Sequence, residues 1–275
     1  MLTKDYLAYA SKALYSCSSS PALDSKLLLA HVLQMPLNKI HNSCEIELTG
    51  PQQQQLEPCL LRRQKGEPIA YITGEVGFWD LILHVSPAVL IPRPETELLV
   101  ETIFTKFNDY TDCNICDLGT GSGAIALSIA AAKKNWHITA VDLSEQALVV
   151  AAKNAQDNNI SNITLIESNW LDAIDAQAKF DVIVANPPYI AEGDPHLSAL
   201  KHEPQQALTS KQHGLADLKH IISHAKSYLA PKGMLLLEHG YDQQEIVCEL
   251  LQQANYTGIT CLKDLCQTPR ASYGY

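Results

Sequence analysis

Asn186, Pro187, Pro188 and Tyr189 close the run "FDVIVA", a continuous β-branched stretch that reads as a buried strand. A strand-to-loop stop would by itself account for the prolines, since proline lacks the N–H that a ladder needs. The same four residues also gather acceptors. Each proline carbonyl is a fixed acceptor with no N–H beside it, Asn186 adds an amide oxygen, and Tyr189 adds an aromatic face. A set of this kind is suited to holding a planar NH2 group.

A second stretch, "DLGTGSGAIAL", begins at Asp117 and places Gly119, Gly121 and Gly123 around Thr120 and Ser122. The spacing is G-x-G-x-G, which differs from the dinucleotide fingerprint but still lets backbone approach a ligand closely. No Gly-Lys-Ser or Gly-Lys-Thr follows, which argues against a phosphate-cradling P-loop. Asp142 stands at the end of the next strand, where a carboxylate can accept both hydroxyls of a ribose. It would otherwise serve as a cap for the helix starting near Ser144, a position that Ser144 itself fills well. A glycine loop and an acid at consecutive strand ends together imply a nucleoside cofactor.

The elements that must position these residues follow from periodicity. Strands are expected at "NICDL", "HITAVDL", "ITLIES", "FDVIVAN", "GMLLLEH" and "YTGITCL". Helices fill "GAIALSIAAAKK", "SEQALVVAAKNAQDN", "LADLKHIISHAKSYLA" and "QQEIVCELLQQA" between them. This alternation over residues 94–275 implies an α/β fold with a doubly wound, mostly parallel sheet, whose ligands bind beyond the carboxyl ends of the strands. Residues 1–66 read as short amphipathic helices forming a small helical domain, with Pro51 suited to a helix start. Residues 67–93, punctuated by glycine and proline, read as a β-hairpin connector, and a helix is expected from Pro94 and Glu95. In "IPRPETE" the acids suit the start of that helix, while Arg93 is a candidate for closing the site.

Composition narrows the class. With 275 residues, 46% hydrophobic and 18% charged, the chain can bury one large core and a small one. A formal net charge of -10 argues against broad, sequence-independent binding to nucleic acid. Residues 1–80 carry seven Lys and Arg against eight Asp and Glu, so the excess acid lies in the later part and suits a basic partner there. The amino terminus lacks the apolar run of a signal peptide and no stretch reaches membrane-span length, so a soluble, cytoplasmic protein is expected. Its eight cysteines are accordingly expected to be reduced. "CNIC" at Cys113 to Cys116 has redox or zinc spacing but no second pair, and an offset of three along a strand points the thiols to opposite faces. "HIISH" at His220 to His224 lacks the glutamate of a zinc protease and reads as a helix face. No metal site is expected.

"DLGTGSG", the acid at 142 and "NPPY" after the fourth strand resemble class I S-adenosylmethionine-dependent methyltransferases of the amino-methylating group, which have a Rossmann-like fold. Adding "GEPIAYITG", "LIPRPETE", Glu203–Pro204 and "LLLEHG", the chain resembles the HemK-type glutamine methyltransferases of peptide chain release factors over nearly its whole length. The resemblance implies methyl transfer from S-adenosylmethionine to the side-chain nitrogen (N5) of the glutamine in the release factor's Gly-Gly-Gln loop, without membrane or direct nucleic-acid partners. It assigns Gly119, Thr120, Gly121, Ser122 and Gly123 to the methionine part of the cofactor, Asp142 to its ribose, and Trp170 to its adenine. Asn186, Pro187, Pro188 and Tyr189 become the catalytic set, with Asn186 also beside the cofactor and Tyr189 lining the side-chain slot. Residues 1–66 become a substrate-recognition domain. Asn169 departs from the usual Asp of the family, and "SALKH" is shorter and less acidic than in some relatives. A ribosomal-protein glutamine or, through base flipping, an adenine N6 would present an equally planar NH2 and remain alternatives. A module that binds the cofactor without catalysis is the third.

Overall fold

In the amino-terminal part, Tyr6, Ala10 and Leu14 recur every fourth residue, which puts them on one buried face of helix α1 (Thr3–Leu14). Leu28 and Leu29 of α2 (Pro21–Leu33), Ile40 of α3 (Leu37–Ile40), Leu56 and Leu60 of α4 (Gly50–Gln64) and Ile72 of α5 (Ile69–Thr73) complete that core. Pro51 does open a helix: Thr49 caps α4, its Oγ accepting from Gln52 N–H while the Gln52 side chain accepts from Thr49 N–H, a reciprocal capping box. Buried Asp24 pairs with Arg63 at 2.7 Å and accepts from Ser18 at 2.7 Å. The computed structural model describes residues 1–40 and 45–275, and the chain divides into two compact units, Met1–Glu75 and Val76–Tyr275. Residues 69–73 are therefore helical and belong to the first unit, where the sequence reading placed connector.

Strands β1 (Glu75–Phe78) and β2 (Leu81–His84) form the hairpin. A 3-10 turn at Pro94–Thr96 then leads into α6 (Glu97–Lys106). Glu97 accepts from Trp79 N–H at 2.8 Å, so this acid holds the hairpin turn.

Alternation follows as expected through β3 (Asn114–Leu118), α7 (Ala124–Ala132), β4 (His137–Asp142), α8 (Glu145–Asp157), β5 (Ile163–Glu167) and β6 (Phe180–Ala185). The short β7 (Ile190–Ala191) and β8 (Thr209–Ser210) pair with each other, and α9 (Lys211–Gly214) is a single turn in which Gln212 and His213 take positive φ. Then come α10 (Ala216–Ala225), β9 (Leu229–Glu238), α11 (Gln244–Gln253), β10 (Thr260–Lys263) and β11 (Pro269–Gly274).

The sheet order is β10-β11-β9-β6-β3-β4-β5, parallel from β9 through β5, with β11 antiparallel to both its neighbours. Its apolar residues alternate between two cores. Ile115, Val182, Val184 and Leu236 face α6 and α7, while Cys116, Ile183, Ala185 and Leu237 face α10 and α11. Cys113 and Cys116 fall in these opposite cores, so "CNIC" is not a thiol pair. Seven of the cysteines are free, and Cys44 lies outside the described residues. His220 and His224 stack at 4.3 Å on α10, away from its buried face, and no group of three or more potential metal ligands occurs among the described residues.

The carboxyl half departs from the sequence reading at its edge. "YTGITCL" becomes a strand only from Thr260, and "PRASYG" is an unforeseen strand inserted between β10 and β9. Strand β9 also begins at Leu229, where the end of a helix was expected.

Candidate active site

The chain runs outward from central β3 to β4 and β5, then returns to β6 on the other side of β3, making a switch point between β3 and β6. Loops leaving the carboxyl ends of two such strands part there and open a crevice. A cavity of about 420 Å³ occupies the place, lined by Gly119, Thr120, Gly121, Ser122, Asp142, Trp170, Asn186 and Pro188 among others. Gly123, Pro187 and Tyr189 do not line it.

The hydrogen-bond directions of the glycine loop say what it can hold. Gly119 and Thr120 N–H both donate to Val141 O at 2.9 Å, Gly121 N–H to Asp142 Oδ2 at 2.8 Å, and Gly123 N–H to Thr120 O at 2.8 Å. A phosphate cradle needs those N–H groups turned toward the ligand, and here they are turned inward. The carbonyls of Gly119 and Gly121 receive no hydrogen bond among the described residues, so the loop offers acceptors, suited to a cationic ligand. Gly119 has φ +74°, and a Cβ there would come within 3.3 Å of the Trp170 ring. Glycine thus leaves a slot between loop backbone and indole. Gly123, at φ +86°, starts α7, where a Cβ would meet Leu127 at 2.7 Å; its role is in packing.

Behind the loop, Asn154 is fully buried on α8 and donates to Ser122 O at 2.8 Å and His84 O at 3.0 Å, while accepting from His84 N–H. It ties the loop to the end of the hairpin. Asp117, 1% exposed, accepts from the Thr120 hydroxyl at 2.7 Å, and burial pushes its carboxyl up to about 7.

Asp142 braces the start of α8 and the glycine loop, and it also lines the cavity. Its Oδ1 accepts from Ser144 N–H at 2.9 Å and its Oδ2 from Gly121 N–H, while Ser144 Oγ caps α8 through Ala147 N–H at 3.2 Å. Each carboxylate oxygen keeps a lone pair, and Asp142 lines the cavity. Burial raises its pKa, and the Ser144 and Gly121 N–H groups oppose that rise. Asn169 also lines the cavity. Its NH2 donates to Asp172 at 2.9 Å, which leaves its amide oxygen as the free acceptor.

On the other wall, Asn186 Nδ2 donates to Thr96 Oγ at 3.2 Å, and its Oδ1 receives no hydrogen bond among the described residues. The Pro187 carbonyl is likewise without a donor among the described residues, and the residue is buried. Tyr189 departs from its expected slot. Its ring packs against the second core and its hydroxyl donates to Glu238 Oε1 at 3.2 Å, because that buried carboxylate is the acceptor within reach. The Tyr189 carbonyl accepts from Gln243 Nε2 at 3.0 Å, and Gly214, at φ +83°, packs so closely on it that a Cβ would come to 2.1 Å. Ile190 N–H donates to Leu208 O, so the loop after Pro188 is anchored along its length.

Arg93 forms an ion pair with Glu203, whose other oxygen accepts from Ile91 N–H at 3.1 Å. Glu203 is 8% exposed and precedes Pro204 of the cavity wall, so the pair joins "IPRP" to the "EP" segment. Thr96, Asn154, Gly214 and Gln243 were not foreseen as parts of the site. Glu238 had a signal, a charge ending the apolar run "MLLLE".

A ligand for this cavity needs a cationic part for the carbonyls, a diol for Asp142, a flat ring for Trp170 and an amine for Asn169. S-adenosylmethionine has all four, and the residues present fit it.

Comparison with known proteins agrees. A family model described as PrmC N-terminal domain matches residues 5–74, and one described as Methyltransferase domain matches residues 110–271. The Release factor glutamine methyltransferase of Coxiella burnetii is 47% identical over 93% of this chain and 92% of its own length. That of Salmonella typhimurium is 44% identical over 94% and 93%, and that of Escherichia coli 43% identical over 94% and 93%. Among solved structures, the hMettl16 catalytic domain with a MAT2A 3'UTR hairpin aligns at TM-score 0.58 and 16% identity, covering 84% of this chain and 83% of that one. A T. thermophilus 16S rRNA methyltransferase with AdoMet and guanosine aligns at 0.55 and 18%, covering 73% and 49%. These last two share the fold. The chain belongs, over nearly its full length, to the release factor glutamine methyltransferase family.

Proposed function

We propose that the protein methylates the side-chain nitrogen (N5) of the glutamine in the Gly-Gly-Gln loop of peptide chain release factors. The observation that carries this reading is Asn186 on the cavity wall at the carboxyl end of β6, its Oδ1 without a donor among the described residues and the Pro187 carbonyl, likewise without one, following it. When bound, S-adenosylmethionine supplies a methyl group on a sulfonium, the electrophile of the reaction. It would be held by the Gly119 and Gly121 carbonyls, Asp142, Trp170 and Asn169.

The chain's own part is to make an amide nitrogen reactive. That nitrogen is a poor nucleophile because its lone pair is delocalised into the carbonyl. Two acceptors that take its two hydrogens fix the amide plane, so that the lone pair, normal to that plane, is presented to the methyl. Positioning alone supplies about 7 to 11 kcal/mol in the best cases. Transfer would join the nitrogen to the methyl as the methyl–sulfur bond breaks, and the nitrogen would release one proton to water, acidic only once the methyl bonds to it. No strong base has to act beforehand. The net charge of -10 supports a protein substrate over the backbone of a nucleic acid.

Incubation of the protein with S-adenosylmethionine and either release factor or RNA, followed by mass analysis, tests the reading. One added methyl on the loop glutamine is expected. Methylation of a nucleobase, or of a glutamine elsewhere, would overturn it.

A further inference from the structure

Strands β6 and β9 are parallel, with Ala185 level with Leu237. One step further along, Asn186, just past the end of β6, therefore stands beside Glu238, the last residue of β9. Glu238 is 3% exposed, and one of its oxygens, Oε2, has no hydrogen-bond partner among the described residues. A buried carboxylate with an unsatisfied oxygen is expensive, and a glutamine of the same shape would be cheaper if only packing mattered.

Its neighbours point to a use. Burial raises the pKa of the Glu238 carboxyl, and the hydroxyls of Thr96 and of Tyr189, the latter donating to Oε1, oppose that rise. Arg270 and Glu95 are the charged groups facing it from other segments, and Arg270 is already bonded to Asp264 at 2.9 Å. Thr96, 3% exposed, also accepts from Asn186 Nδ2. A hydroxyl has one hydrogen. If that hydrogen goes to the carboxylate, only lone pairs are left for Asn186, and its NH2 must point to Thr96 with its oxygen toward the cavity. Were the hydroxyl to point the other way, the Asn186 amide could turn over and set its NH2 against an incoming NH2, donor against donor.

We propose that Glu238 is a positioning residue for methyl transfer: through the Thr96 hydroxyl it fixes which end of the Asn186 amide meets the substrate nitrogen. The proposal rests on the reading of Asn186 as the acceptor for that nitrogen.

The test uses Glu238→Gln, Thr96→Val, Thr96→Ser and Asn186→Ala in the full chain. Single-turnover methyl transfer to release factor is measured beside S-adenosylhomocysteine affinity by calorimetry and the NMR signals of the Asn186 side-chain NH2. Glu238→Gln and Thr96→Val should each slow transfer about tenfold or more at unchanged affinity, since hydrogen-bonded partners act as a unit. Both should move the Asn186 NH2 signals. Thr96→Ser keeps the hydroxyl and should restore the rate. The double variant Glu238→Gln/Thr96→Val should be no slower than the slower single.

Normal transfer by Glu238→Gln, multiplying losses in the double variant, or a Thr96→Ser as slow as Thr96→Val would overturn the proposal. If Glu238→Gln fails to fold, the valine and serine variants decide alone. Asn186→Ala separates the two levels. Slow transfer by that variant beside normal transfer by Glu238→Gln removes only Glu238's role, whereas normal transfer by Asn186→Ala removes the clamp and this proposal together.

Discussion

Asp142 is a single side chain with two tasks, and its geometry separates them. Each oxygen takes one backbone N–H, from Ser144 or Gly121, and keeps a second lone pair, and the residue lines the cavity. Asp142→Ala should weaken S-adenosylhomocysteine binding about ten- to hundredfold, the worth of hydrogen bonds to a charged acceptor. Calorimetric titration checks it, and unchanged affinity would leave Asp142 a cap only. Two other carboxyls, Asp117 and Glu238, are pushed up to about 7 by burial. Each binds its proton more tightly folded than unfolded. Their contribution to stability is therefore fully present below the ordinary carboxyl range and is lost as pH rises toward 7. Urea denaturation across that window should show stability falling with rising pH, and Glu238→Gln should flatten the fall. An equally steep profile in the variant would show that Glu238 does not titrate there.

Among the elements, the strands are the rigid part and the loops at their carboxyl ends do the holding. The loop after β6 is fastened by Gln243 from the start of α11, by the pairing of β7 with β8, and by Gly214 against the Tyr189 carbonyl. A methyl at 214 would need both a left-handed backbone, unfavourable for alanine, and the space of that carbonyl. Gly214→Ala should cost about 2 kcal/mol or more and shift Asn186 with the loop. Its stability and its transfer rate should fall together, while Asn186→Ala should lower only the rate. A Gly214→Ala protein as stable as the parent would show that the contact is relieved elsewhere.

At the scale of the whole molecule, two units have their own cores, and only the second carries the cavity and the motifs around it. The first unit is nearly neutral by sequence, while the acid excess lies in the second. A role for the first unit in recognising the protein substrate predicts an asymmetry. Removal of residues 1–75 should reduce turnover on an intact release factor much more than on a short glutamine peptide. Parallel assays of the two substrates check this, after circular dichroism establishes that the remaining chain is folded. Equal losses would assign the first unit to stability alone.

By itself the sequence determined what depends on neighbours a few residues apart. The glycine turn, the acid ending β4, the prolines ending β6 and the alternation of strands with helices are local, because turn geometry and burial periodicity are set within short windows. It also determined the opposite facing of Cys113 and Cys116. Strand β11 has no local signature, because "PRASYG" opens with proline and carries little apolar surface; it is a strand because β9 and β10 flank it. The resemblance assigns Tyr189 to the side-chain slot, and in the structure its hydroxyl bonds Glu238, 49 residues away. The bond from Asn186 to Thr96 spans 90 residues. Such contacts are decided by strand order and by the register of β6 on β9, which no local pattern encodes. Only the tertiary structure could turn the Asn186 amide, because only there do Thr96, Glu238 and Tyr189 meet behind it.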